Sequence, residues 1–220
     1  MEGNRIDMYC NCFFCEGERF TLNQMLGLEA ESSVIYEDEN VFVLPDIAPV
    51  VKGHYLIVTQ EHINSYGNAD EKIFASLEAA KKFLITNVFH TDNVLFWEHG
   101  AVVSHSAGGC IDHAHLHALP MIPGLDIDNY LNSLDYINSP RQDLTFESLK
   151  QLALSRQPYI SYEYGNGGKY FRCVKWLPTQ FFRLMISQYH PQEYNWKFRY
   201  KEEDSLALFR STLEMAKSKK

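Results

Sequence analysis

Cys110-Ile111-Asp112-His113-Ala114-His115-Leu116-His117-Ala118-Leu119-Pro120 is the stretch on which the reading of this chain turns. Three histidines alternate with small or apolar residues, which is the period of a β-strand, where successive side chains point to opposite faces. His113, His115 and His117 are expected on one face, with neighbouring imidazoles roughly 6.5–7 Å apart at about 3.3 Å of rise per residue. Ala114, Leu116 and Ala118 are left to face a packed core. Imidazoles taken out of water need hydrogen bonds or a metal. The triplet alone is therefore compatible with a histidine-rich surface strand, a simple metal site or a catalytic row.

Two further stretches lie upstream. Val43-Leu44-Pro45-Asp46-Ile47-Ala48-Pro49 leads into Gly53-His54-Tyr55-Leu56-Ile57-Val58-Thr59-Gln60-Glu61-His62, a strand, a turn and a second strand. Nearer the N-terminus stands Cys12-Phe13-Phe14-Cys15. In this order the three motifs resemble the histidine-triad (HIT) superfamily, whose signature is His-φ-His-φ-His-φ-φ with φ apolar, and whose metal-binding members carry Cys-x-x-Cys. The resemblance covers roughly residues 10–125. It implies an α+β fold, with a HIT-like antiparallel sheet of about five strands and a long helix. A C-terminal α/β appendage would follow, giving a catalytic domain over residues 1–125 and an extension over 126–220 packed on the same domain.

The resemblance also implies chemistry. His115 would be the nucleophile, attacking an α-phosphorus to give a nucleotidyl-histidine that water or another acceptor resolves, so that one difficult displacement becomes two easier ones. A main-chain carbonyl would orient the imidazole, and His117 and His54 would surround the phosphate and leaving group. Asp46 would accept hydrogen bonds from the ribose hydroxyls, with Ile47 beside it among the nucleotide-contacting residues. An Asp that closes its own turn is the plainer reading of the same position. Gly108 and Gly109 let the backbone approach a phosphate and present N–H donors, although a plain turn is the commoner meaning of paired glycines. Relatives usually carry Gln-Ser or Gln-Thr near this point; here Gly109 and Cys110 stand instead, and a thiol is a poor donor. His99 and His105 are the candidates to fill that role. Thr59-Gln60-Glu61-His62 likewise departs from the usual Pro-Lys-x-His, and the lost lysine weakens the expected grip on long polyphosphates.

Two thiolates make half of a tetrahedral zinc site. Cys12 and Cys15 are open to a redox reading as well, but no strand precedes them and no proline separates them. Histidines from elsewhere in the fold are the natural completion, and the resemblance names His62 and His113. Four protein ligands leave no position open for substrate, so such a zinc would be structural.

Composition agrees with a soluble enzyme. A hydrophobic fraction of 45% over 220 residues is ample for a core. No apolar run approaches the ~20 residues needed to cross a bilayer, and the first residues have no apolar leader segment, so a cytoplasmic protein without membrane contact is expected. Five cysteines, clustered rather than paired, suit a reducing compartment and a metal site. A formal charge of −8 argues against stable nucleic-acid binding but not against a small nucleotide held in one pocket.

Along the chain, residues 20–29 read as a short helix, and 33–36, 40–46 and 54–59 as strands. Residues 69–89 form the clearest helix, N-capped by Asp70 and marked by Ile73, Leu77, Ala80, Leu84 and Val88 at helical spacing. Strands at 93–97 and 111–119 complete the sheet. After Pro120, Gly165-Asn166-Gly167-Gly168 joins 159–164 to 169–176 as a hairpin, with helices at 146–154, 179–189 and 206–216. This extension is either a packing and dimer-forming element or a specificity lid. Its aromatics, and the open edges of a small antiparallel sheet, predict a twofold homodimer. The expected function is a nucleotide hydrolase or transferase acting on a phosphoramidate or dinucleoside polyphosphate. A non-catalytic nucleotide-binding protein and a zinc-stabilised interaction module are the alternatives.

Overall fold

Asp70 accepts the Ile73 N–H at 2.8 Å, satisfying one of the donors left open at a helix start. The helix it caps, α1 (Glu71–Phe83), continues in wider π-type turns over Leu84–Phe89. Ile73, Leu77, Ala80, Leu84 and Val88 form its buried face, as the spacing predicts. The structure, a computed structural model, describes residues 12–15, 27, 33–104, 106–109, 111–137, 139–189 and 203–217. His105, Cys110 and the helix expected over 20–29, apart from Gly27 in a turn, lie outside the described residues.

The strands are β1 (Tyr36–Glu37), β2 (Val41–Pro45), β3 (Tyr55–Thr59), β4 (Val94–Gly100), β5 (His115–Pro120), β6 (Gln142–Asp143), β7 (Tyr159–Tyr164) and β8 (Lys169–Cys173). The remaining helices are α2 (Ile127–Asn132), α3 (Phe146–Leu154), α4 (Phe181–Tyr189) and α5 (Glu203–Lys217). The fold is α+β, with every strand pair antiparallel. Among the described residues one sheet of eight strands runs in the order β1-β2-β3-β5-β4-β7-β8-β6, instead of about five strands. The difference comes from the hairpin. Strand β7 pairs along β4 from Leu95↔Tyr164 to Gly100↔Tyr159 and covers an edge that would otherwise be open. Gly100 permits this approach, since a side chain there would overlap the Tyr159 ring. The two outermost strands are two residues long, which keeps the sheet edges short.

Both faces are covered. Val41, Val43, Tyr55, Ile57, Phe96, Leu116 and Ala118 pack beneath α1. The opposite face carries two separate clusters. Phe42, Leu44, Leu56 and Val58 meet Phe209 and Leu213 of α5, whereas Leu95, Trp97 and Leu119 meet Phe181, Phe182 and Met185 of α4. Each such buried side chain contributes about 1.5–3 kcal/mol. His117 lies between the clusters, because β3 places Leu56 on one side of it and β4 places Trp97 on the other. Alternation then assigns Asp46, His54, His99, His115 and His117 to this one face.

Candidate active site

The triplet does not act as one row. Residues 111–113 bend before β5 begins, so His113 turns away while His115 and His117 keep the strand alternation. Backbone contacts fix the tautomers, as assigned from the hydrogen-bond network. The Val50 N–H donates to His54 Nδ1 at 3.1 Å, so His54 carries its proton on Nε2. That Nε2–H donates to His117 Nδ1 at 2.9 Å, which leaves the His117 proton on Nε2. His115 donates Nδ1–H to the His113 carbonyl at 2.7 Å, so its Nε2 bears the lone pair. His99 donates Nδ1–H to the Ala107 carbonyl at 2.8 Å. Burial pushes the pKa of His117 and of His99 down to about 3, so both are neutral near pH 7. His115 is lowered by burial too, against the pull of the His113 carbonyl and the Asp46 carboxylate.

Asp46 is buried at the exit of β2. Its Oδ1 accepts the Ala48 N–H at 2.8 Å in an Asx turn, so the plainer reading of this position holds in part. Arg183 of α4 places Nη2 at 2.7 Å from both carboxylate oxygens and donates Nη1–H to the Ala48 carbonyl. Burial alone would raise the Asp46 pKa, but the charge of Arg183 and the contacts from His54 and His117 hold it well below the usual carboxylate range. Asp46, His54 and His117 lie close enough together to suggest a metal site; the guanidinium already seated on Asp46 argues against one.

A cavity of about 200 Å³ opens onto these groups. Of the residues expected at a nucleotide site, Asp46, Ile47, His99, Gly108, Gly109, His115 and His117 line it, whereas His54 stands behind His117. Phe14, Gln180, Phe182 and Arg183 line it as well, and sequence reasoning missed all four. The only trace of the last three was the helix expected after Pro178, which carries no motif. Phe182 packs its ring 5.0 Å from His117 and 5.1 Å from Trp97, so the C-terminal extension forms a wall of the cavity in addition to extending the sheet.

Behind this cavity Cys12, Cys15, His62 and His113 bring one ligand atom each within 4.8 Å of one another. Cys12 Sγ lies 3.3 Å from His113 Nδ1, and Cys15 Sγ lies 3.3 Å from His62 Nδ1 and 3.9 Å from His113 Nδ1. A tetrahedron with Zn–N ~2.0–2.1 Å and Zn–S ~2.3 Å has edges of roughly 3.3–3.8 Å, close to the two 3.3 Å separations and slightly shorter than the third. Cys12 and Cys15 are not joined as a disulfide. His113 donates Nε2–H to the Thr59 carbonyl at 2.7 Å, which leaves Nδ1 as the lone-pair nitrogen facing the cysteines.

The HIT domain family model matches residues 27–123, which include β1 to β5 and α1. An uncharacterized HIT-like protein of Borreliella burgdorferi is 30% identical over 116 residues, covering 50% of this chain and 75% of that protein. Protein hit of Bacillus subtilis is 30% identical over 118 residues, covering 51% of this chain and 74% of that protein. The chain belongs to the HIT family. Among solved structures, a HIT family hydrolase from Clostridium thermocellum is 25% identical, with 53% of this chain and 96% of that chain covered and a TM-score of 0.39. The HIT part supplies His54, Asp46, His115 and His117, and residues beyond the family match supply Gln180, Phe182 and Arg183.

Proposed function

We propose that this HIT-family chain is a nucleotide hydrolase or nucleotidyltransferase working through His115. The observation that carries the reading is the 2.7 Å bond from His115 Nδ1–H to the His113 carbonyl, which makes Nε2 the nucleophilic nitrogen of a side chain lining the cavity. The Nε2 lone pair forms a bond to the α-phosphorus as the bond to the leaving group breaks. The departing group leaves as its anion or takes a proton from solvent, while the neutral His117 Nε2–H steadies it with a hydrogen bond and His54 Nε2–H holds the other side of that ring. Water, or a phosphate acceptor, then takes the nucleotidyl group and regenerates His115. Phosphoramidates and dinucleoside polyphosphates present such an α-phosphorus.

Cys12, Cys15, His62 and His113 are proposed to hold a structural zinc, supported by the spacing of their ligand atoms and by the carbonyl that orients His113. A cytoplasmic setting would keep the two thiols reduced. Among the described residues no helix is long and apolar enough to cross a membrane.

Assembly is a separate proposal. The expected homodimer rested on open sheet edges and spare aromatic surface. Here β7 covers β4, and Tyr159, Tyr162, Phe181 and Phe182 are buried in the chain's own core. We therefore propose that the chain acts as a monomer, with the neighbour of β4 supplied from within.

Intact-mass measurement after incubation with nucleoside phosphoramidates and diadenosine polyphosphates tests the chemistry. A protein adduct of one nucleoside monophosphate, absent from His115→Asn, is expected. Nucleotide binding with neither adduct nor turnover would leave a binding protein, the outcome that Gly109 in place of a polar residue favours.

A further inference from the structure

Asp46, the carboxylate that the resemblance reserves for ribose hydroxyls, is already engaged. Oδ1 takes the Ala48 N–H at 2.8 Å and Arg183 Nη2 at 2.7 Å. Oδ2 takes Arg183 Nη2 at 2.7 Å, with His54 Nε2–H at 3.4 Å, while the unprotonated His117 Nδ1, 3.6 Å away, takes up no acceptor position. A carboxylate offers about four acceptor positions, and this one is 1% exposed. A vicinal diol would need two of those positions.

Arg183 has five N–H donors. Those on Nη2 serve Asp46 and one on Nη1 serves the Ala48 carbonyl, so Nε–H and the second Nη1–H take no part in these contacts. The side chain lines the cavity beside His115 and His117, where it is a permanent cation. Its position is built in. Gly108 has φ +73°, and a side chain there would meet the Pro178 carbonyl at 2.7 Å and Leu177 Cβ at 2.8 Å. Gln180 holds φ +63°, an unfavourable conformation for a residue with a side chain, while its N–H donates to the Gly108 carbonyl at 2.7 Å. The extension is thus fastened to the glycine loop one turn before Arg183.

We propose that Arg183 is a specificity-determining residue that converts the sugar-hydroxyl position at Asp46 into an anion subsite. Bound to Asp46, it withholds the carboxylate from a 2′,3′-diol, and its remaining N–H donors take a phosphoryl oxygen. The inference rests on the nucleotide reading above.

The test is calorimetric titration of the full chain with AMP, 2′-deoxy-AMP, adenosine and inorganic phosphate. The proteins are wild type, Arg183→Gln, Arg183→Lys, and the double variant Asp46→Asn/Arg183→Gln, which removes both charges should the single change unfold the chain. Wild type should bind AMP and 2′-deoxy-AMP within about threefold, and AMP at least about tenfold more tightly than adenosine, as one charge-assisted hydrogen bond allows. Arg183→Gln should lose the preference for AMP over adenosine and, with Asp46 freed, favour AMP over 2′-deoxy-AMP; the double variant should lose the AMP preference without gaining the diol preference, and Arg183→Lys should keep part of the AMP preference. A wild-type preference of about tenfold for AMP over its 2′-deoxy form, or a phosphate preference surviving in both Gln variants, overturns the proposal. If wild type binds neither AMP nor adenosine, the nucleotide reading fails and inorganic phosphate judges the subsite. Phosphate affinity lost in the Gln variants then retains Arg183 as an anion ligand, and unchanged or absent phosphate binding removes it.

Discussion

His113 accepts the Nδ1–H of His115 on its carbonyl oxygen at 2.7 Å, while its own ring is held by the Thr59 carbonyl and faces Cys12. One residue thereby orients the proposed nucleophile with its backbone and serves the cysteine-histidine cluster with its side chain. The bend at residues 111–113 makes both possible, because it frees His113 from the strand alternation that His115 obeys.

Replacing His115 with Asn should abolish turnover of a nucleoside phosphoramidate, by as much as about 10⁶-fold, the scale seen when a nucleophile is deleted elsewhere. AMP affinity and the unfolding midpoint should stay near wild type, since this ring contributes little to either apolar cluster. Steady-state kinetics beside a urea titration separates the two effects. Residual activity within tenfold of wild type would sink the nucleotidyl-histidine mechanism.

Elemental analysis of protein purified without chelator should find about one zinc per chain, the stoichiometry of a single four-ligand site. Cys12→Ser should lower that content sharply. If losing the metal costs ~2–3 kcal/mol, the melting temperature should fall by roughly 5–10 °C for a chain of this size. A zinc-free wild type with an unchanged Cys12→Ser melting curve argues for a purely packing role of the cluster.

Glu98 gives a pH-dependent term of defined sign. It is buried beneath Tyr66 and Tyr159, accepting the Tyr66 N–H at 2.7 Å and the Tyr159 hydroxyl at 2.8 Å. Burial raises its pKa to about 7, opposed by those two donors and reinforced by the Glu163 carboxylate. Between pH 4.5 and 7 the folded chain therefore holds a proton that the unfolded chain has released, and this group's contribution falls as pH rises. His99 and His117 act in the opposite sense, because their folded pKa of about 3 lies below the ordinary value and stability is lost on acidification below pH ~6.5. Glu98→Gln leaves the histidine term unopposed. From pH 5 to pH 7 the variant should gain on wild type by about 2 kcal/mol in urea unfolding. An equal difference at both pH values would show that Glu98 does not titrate in this range.

Light scattering at micromolar concentration should return the mass of one chain, 25.5 kDa. The reason is the β4–β7 pairing, which supplies from within the chain the neighbour that β4 would otherwise seek in a second copy. Twice that mass would restore the homodimer and require another interface, for which the exposed pair Tyr136 and Trp176 is the first surface to mutate.

The alternation of His115-Leu116-His117-Ala118, the apolar spacing of α1, its Asp70 cap and the Gly-rich hairpin were all legible in the sequence, because each is set by residues within a few positions of one another. The family motifs likewise pointed to His54, Asp46 and the cysteine pair. Strand order was not legible: that β7 would flank β4 and make one sheet of eight strands depends on a contact between Gly100 and Tyr159 that no local pattern encodes. Nor was the wall of the cavity. Phe182 and Arg183 sit in an ordinary amphipathic helix, with Gln180 in the turn before it, and only the seating of Leu177 and Pro178 on Gly108 brings them to the histidines. Local periodicity determined which side chains share a face; long-range packing alone decided that Arg183, 137 residues from Asp46, would close over its carboxylate.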